Sequence, residues 1–75
     1  MSIGSAKDFG SMIRQTRKNF RLTQPQLAGA SGVGIRFIVD LERGKPTCAL
    51  DKALRVALML GLNVEMRSRL KPGQE

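Results

Sequence analysis

Seventy-five residues with a single cysteine and no histidine make one small domain, in which neither an intrachain disulfide nor a Cys/His zinc site can be assembled. Thirteen Lys and Arg against six Asp and Glu leave a net charge of +7, which attracts polyanions. There is no Trp or Tyr and the three Phe are dispersed, which disfavours a membrane-surface helix or a base-stacking single-strand binder and leaves duplex DNA favoured.

A chain of this size buries only ~60–65% of its unfolded surface, so a second copy is the expected route to stability. The apolar runs are shorter than a membrane span and the N-terminus lacks a signal-peptide core, so a cytoplasmic setting is expected, with no membrane partner. Without histidine or an evident nucleophile–base pair, no enzyme, metal or cofactor is expected.

Ser5 reads as the N-cap of a first helix with Asp8 in its first turn. Phe9, Met12, Ile13, Thr16 and Phe20 recur at helical spacing and form its apolar stripe. Arg14, Arg17, Lys18 and Arg21 lie mostly off that stripe and, for most of them, read as a solvated face.

Thr23 and Gln26 spell a Thr-x-x-Gln capping box, which places Pro25 in the first turn of a second helix, where its missing N–H costs nothing. Leu27, Ala28 and Ser31 should face inward; Gly29 has no evident reason. Gly32 ends the helix in a left-handed turn, Val33 returns to the core, and Gly34 starts a third helix from Ile35 to Glu42 with Ile38 and Leu41 buried. Gly44 and Pro46 stop it.

Thr47 is the expected cap of a further helix carrying Leu50, Ala53, Leu54, Val56, Ala57, Leu58, Met59 and Leu60, closed by Gly61. Its apolar residues run nearly all the way round, so one side should meet a second chain. From Leu62 to Arg69 the pattern alternates, with Leu62, Val64 and Met66 on one face. A lone strand needs a partner, and the same strand of a second copy across a two-fold axis is the simplest. Residues 1–6 are then an N-terminal extension, 7–61 the DNA-binding domain, 62–70 a dimerisation strand and 71–75 a tail expected to be disordered.

Two short helices joined by a glycine-containing turn form a helix-turn-helix, whose second helix enters the major groove. The residues Thr23-Gln24-x-x-Leu27-Ala28-x-x-Ser31-Gly32-Val33-Gly34-x-x-x-Ile38-x-x-Leu41-Glu42-x-Gly44 resemble the Xre-type helix-turn-helix family, which includes phage Cro and repressor proteins. The likeness runs from about Phe9 to Leu62. It implies an all-α, lambda-repressor-like bundle of four to five short helices, here with a short C-terminal β-strand pairing across a dimer. The Met59-Leu60-Gly61-Leu62 end followed by the Val64–Arg69 segment is similar to HipB-type antitoxins. That likeness implies an autorepressing homodimer on a palindromic operator and a HipA-type kinase toxin as a further partner. A phage-type regulator or a restriction–modification controller without a toxin partner shares the fold, and a toxin-binding protein in which DNA binding is subordinate is the alternative of another class.

The resemblance implies a phosphate contact and a bracing role for Gln24 and a base-reading role for Arg36, which suits guanine O6 and N7. Ile35 and Phe37 flank it as thymine-methyl contacts, with the protein body an equal expectation for Phe37. Asp40 departs from the family's polar or basic residue and should pair with Arg36 four residues earlier, rather than accept from cytosine N4. Gly34 replaces the family's capping Ser or Thr. Arg43 and Lys45 are phosphate candidates, Glu42 ties the helix to the body, and Leu58, Leu62, Val64 and Met66 form the dimer contact.

Overall fold

A computed structural model describes residues 5–46 and 49–62. Four helices follow one another: α1 (Ala6–Asn19), α2 (Gln24–Ser31), α3 (Ile35–Glu42) and α4 (Leu50–Met59), and there is no strand among the described residues. The Ser5 hydroxyl accepts from the Asp8 N–H at 3.2 Å and opens α1. At α2 both halves of the capping box are made, Gln26 N–H to Thr23 Oγ1 at 3.1 Å and Thr23 N–H to Gln26 Oε1 at 2.8 Å. Gly34 opens α3 in extended backbone without a side-chain cap. Ala49, also without one, precedes α4, and the expected cap Thr47 lies outside the described residues.

All four helices stop the same way. A residue with positive φ follows each, namely Arg21 (58°), Gly32 (70°), Gly44 (79°) and Gly61 (75°). The next N–H then reaches back to a carbonyl of the last turn: Leu22 to Arg17, Val33 to Ala28, Lys45 to Asp40, Leu62 to Ala57, at 2.9 to 3.1 Å. These are Schellman closures, which satisfy carbonyls that would otherwise be orphaned.

The core is Ile13, Leu27, Ala28, Ile38, Leu41, Ala53, Val56, Ala57 and Leu60, with Phe9, Leu22, Val33, Phe37 and Leu62 packed against it. α3 lies against α1 and α2, and α4 lies against α2. Two glycines set how closely α3 and its end approach α1. A Cβ on Gly10 would overlap the Leu41 carbonyl oxygen, and one on Gly44 would stand 2.6 Å from the Lys7 Cα.

Two expectations are corrected. Phe20 does not extend the buried stripe: α1 ends at Asn19, and Phe20 is 57% exposed. Arg17, expected on the wet face, is buried instead. Leu62, at the start of the expected strand, closes the end of α4 with its N–H, and its side chain packs on the chain's own core. Val64 and Met66, the rest of the expected strand face, lie outside the described residues. On α4, Leu50 and Leu58 are each 66% exposed and Met59 51%, so the helix keeps an apolar surface that the described residues leave open. No helix among the described residues is long and apolar enough to cross a membrane.

Candidate nucleic-acid interface

The third helix is held at its C-terminal end by a buried knot of polar groups. Arg17 on α1 donates from Nε to Glu42 Oε2 at 2.7 Å, from Nη2 to Glu42 Oε1 at 3.0 Å, and from Nη1 to the Leu22 carbonyl at 2.8 Å. Gln24, the first residue of α2, donates from Nε2 to Glu42 Oε1 at 3.2 Å. One carboxylate therefore joins α1, the start of α2 and the end of α3, and the guanidinium adds the loop between the first two. A two-pronged Arg–carboxylate pair fixes orientation as well as distance. The hydrogen bonds to Glu42 outweigh the burial of Arg17 and raise its already high pKa, so it stays charged.

Helical geometry then dictates what α3 shows to the outside. Ile38 and Leu41 point inward, so the opposite side of the helix carries Arg36, Val39, Asp40 and Arg43 at spacings of three, four and seven. The Arg36 side chain is 85% exposed. Its Nε faces Asp40 Oδ1 at 3.5 Å, and Lys45 Nζ faces Asp40 Oδ2 at 3.8 Å. Arg43 and Lys45 are exposed beyond the end of the helix, and Ile35 at its start is 50% exposed.

Phe37, for which base and body were equal expectations, is half-buried against the core, with Lys52 Nζ 6.0 Å from its ring centroid. Gly34 is exposed, and a Cβ added there would meet open space, so only backbone marks the start of α3. Val39 is the outward residue that the sequence pattern passed over; its place between Arg36 and Arg43 on one helical face was the signal. Arg21 was also passed over as special: it is exposed, directly before the α2 cap, and the one non-glycine with positive φ among the described residues. Leu58, expected at a dimer contact, is open to solvent.

Two short helices meeting across the Gly32 turn, the second with a charged outer face, define a helix-turn-helix domain. No established family profile matches the sequence. Among curated proteins, the chain is 46% identical over 72 residues to the uncharacterised HTH-type transcriptional regulator y4mF of Sinorhizobium fredii, covering 96% of this chain and 91% of that protein. It is also 41% identical over 51 residues to an uncharacterised HTH-type transcriptional regulator of Methanothermobacter thermautotrophicus, covering 68% of this chain and 74% of the relative. The chain belongs to the HTH-type transcriptional regulators.

Proposed function

We propose that this chain is a non-enzymatic, sequence-specific regulator of transcription of the Xre type. It binds duplex DNA by laying α3 in the major groove. The observation that carries this reading is the contrast along α3: its inner side and C-terminal end are locked into the domain, while Arg36, Val39, Asp40 and Arg43 are left outward. The groove, roughly 12 Å wide, admits a single helix presented in this way. Arg36 reads a base edge, and Ile35 lies beside it at the entry of the helix. Gln24, Arg43, Lys45 and the backbone at Gly34 meet phosphates, which position the domain without specifying sequence. The net charge of +7 supplies the sequence-independent attraction.

The regulator acts as a homodimer, with two α3 helices spaced ~34 Å apart on a palindromic operator. Support comes from Leu50, Leu58 and Met59, which stand open on α4 in a domain too small to waste apolar surface. An autorepressing antitoxin role rests on the likeness of the C-terminal segment alone, and operator binding stands without it.

The test is fluorescence anisotropy on the protein's own upstream DNA and on a scrambled duplex, across a salt series. Tight, sequence-dependent binding with a steep salt slope is expected. Arg36→Ala should lose ~1–3 kcal/mol on the cognate site and relax preference at one base pair, with little change in stability. Equal weak binding of the natural protein to both duplexes would refute the operator reading.

A further inference from the structure

We propose that Asp40 is a positioning residue for Arg36, aiming its guanidinium at a guanine, and that the Asp40 carboxylate itself reads no base. The inference rests on the operator-binding reading and adds to it the identity of the base and a role for the acidic group on the outward face.

The geometry points this way because of which edge of the guanidinium lies beside the carboxylate. Arg36 meets Asp40 through Nε, at 3.5 Å, one helical turn away on the same face. The approach is an ion pair rather than a hydrogen bond, and no guanidinium nitrogen of Arg36 makes a hydrogen bond among the described residues. The edge formed by Nη1 and Nη2 is a fork of donors only. Guanine offers two acceptors to such a fork, O6 and N7, whereas adenine offers one acceptor beside a donor. An Arg side chain 85% exposed would otherwise have many rotamers to lose on binding. A neighbouring carboxylate that restrains it lowers that cost for one orientation, which is how a weak exposed pair gains a role in recognition.

Asp40 is also placed so that its charge is countered. Its side chain is only 26% exposed, and its other oxygen faces Lys45 at 3.8 Å. A carboxylate on a face that approaches phosphates would repel them. Flanked by Arg36 and Lys45, it is neutralised on both sides while still directing the arginine. With a cation beside each of its oxygens, the carboxylate is less available to a cytosine amino group.

The experiment begins with selection of preferred duplexes from a randomised pool by the full chain. Anisotropy then measures the natural protein, Asp40→Asn, Arg36→Lys and Arg36→Ala on the selected duplex, on each single-base-pair variant and on random-sequence duplex. Circular dichroism confirms that each variant folds. A G·C pair should be required at one position per half-site, and Arg36→Ala and Arg36→Lys should both lose that requirement. Asp40→Asn should reduce discrimination at that same base pair about two- to threefold, in keeping with the strength of an exposed pair. With one negative charge removed, it should at the same time bind random-sequence duplex about two- to threefold more tightly. Tighter binding to every duplex with discrimination intact would overturn the inference, because Asp40 would then only repel phosphate. Lost discrimination at a different base pair would also overturn it, because Asp40 would then read a base directly. Absence of any preferred duplex for the natural protein would sink the operator reading and this inference together.

Discussion

Two carboxylates on the same helix, two residues apart, each hold an arginine, and burial makes them opposite devices. Glu42 and Arg17 have side chains 4% and 10% exposed and share two short hydrogen bonds between α3 and α1. Asp40 and Arg36 lie along α3 itself, with Arg36 85% exposed and the charges 3.5 Å apart. The first pair cannot let go, since either charge left alone would be buried without compensation. The second can let go readily, since water replaces whatever is lost. One end of α3 is therefore fixed to the body while its outer face stays available to a partner, and this division is what a helix presented to a groove requires.

The largest effect is expected at the buried pair. Arg17→Ala or Glu42→Ala should each destabilise the domain by ~3–5 kcal/mol in urea unfolding, which for a domain of this size approaches the whole stability. Arg36→Ala and Asp40→Ala should each change it by no more than ~0.5 kcal/mol. Equal losses at the two pairs would remove the distinction between anchoring and presentation. The double variant Arg17→Met/Glu42→Leu sharpens the point. It should cost much less than the sum of the single variants, because no charge is then left buried and unpaired.

A smaller effect is expected where α1 and α3 approach. Gly10→Ala places a methyl group against the Leu41 carbonyl oxygen and must push the two helices apart. Overpacking of this kind should cost ~1–3 kcal/mol, offset only in part by the better helix propensity of alanine. Because the Arg17–Glu42 hydrogen bonds span the same two helices, the variant should also weaken their coupling in a double-mutant cycle. A variant as stable as the natural protein would mean that α1 tolerates displacement and that the knot alone fixes α3.

What the sequence made legible is what neighbours along the chain decide. The Thr23–Gln26 capping box, the left-handed Gly32 and the bounds of α3 each depend on residues within a turn of one another, and each is found as expected. Arg17 was misplaced because its partner Glu42 stands 25 residues away, and nothing local distinguishes an arginine that pairs in the core from one in water. Phe20 was misplaced for a related reason: periodicity says which side of a helix is apolar but not where the helix stops, and Arg21 turns the chain one residue too soon. The tight contact at Gly10 was invisible because close approach is a property of two helices, not of one. The outward face of α3 follows from its buried positions alone, which turn Val39 outward and leave Phe37 against the core.

The smallest expected effect concerns Arg21, the residue that links the anchored region to the outside. Its φ of 58° puts an L side chain in the left-handed region, at the position where the other three helices have glycine. Arg21→Gly should therefore relieve strain and raise stability by ~0.5–1 kcal/mol, the extra freedom of glycine in the unfolded chain offsetting part of the gain. The guanidinium is exposed immediately before Thr23 and Gln24, on the same approach to DNA proposed for Gln24. If strain is tolerated there for a phosphate contact, Arg21→Gly should weaken binding to every duplex equally and reduce the salt slope by about one. A more stable variant with an unchanged slope would make Arg21 a bystander, and the knot beneath it a purely internal device. Greater stability together with a shallower slope would show that the anchored region also faces the nucleic acid, and that its one strained residue is kept there for charge.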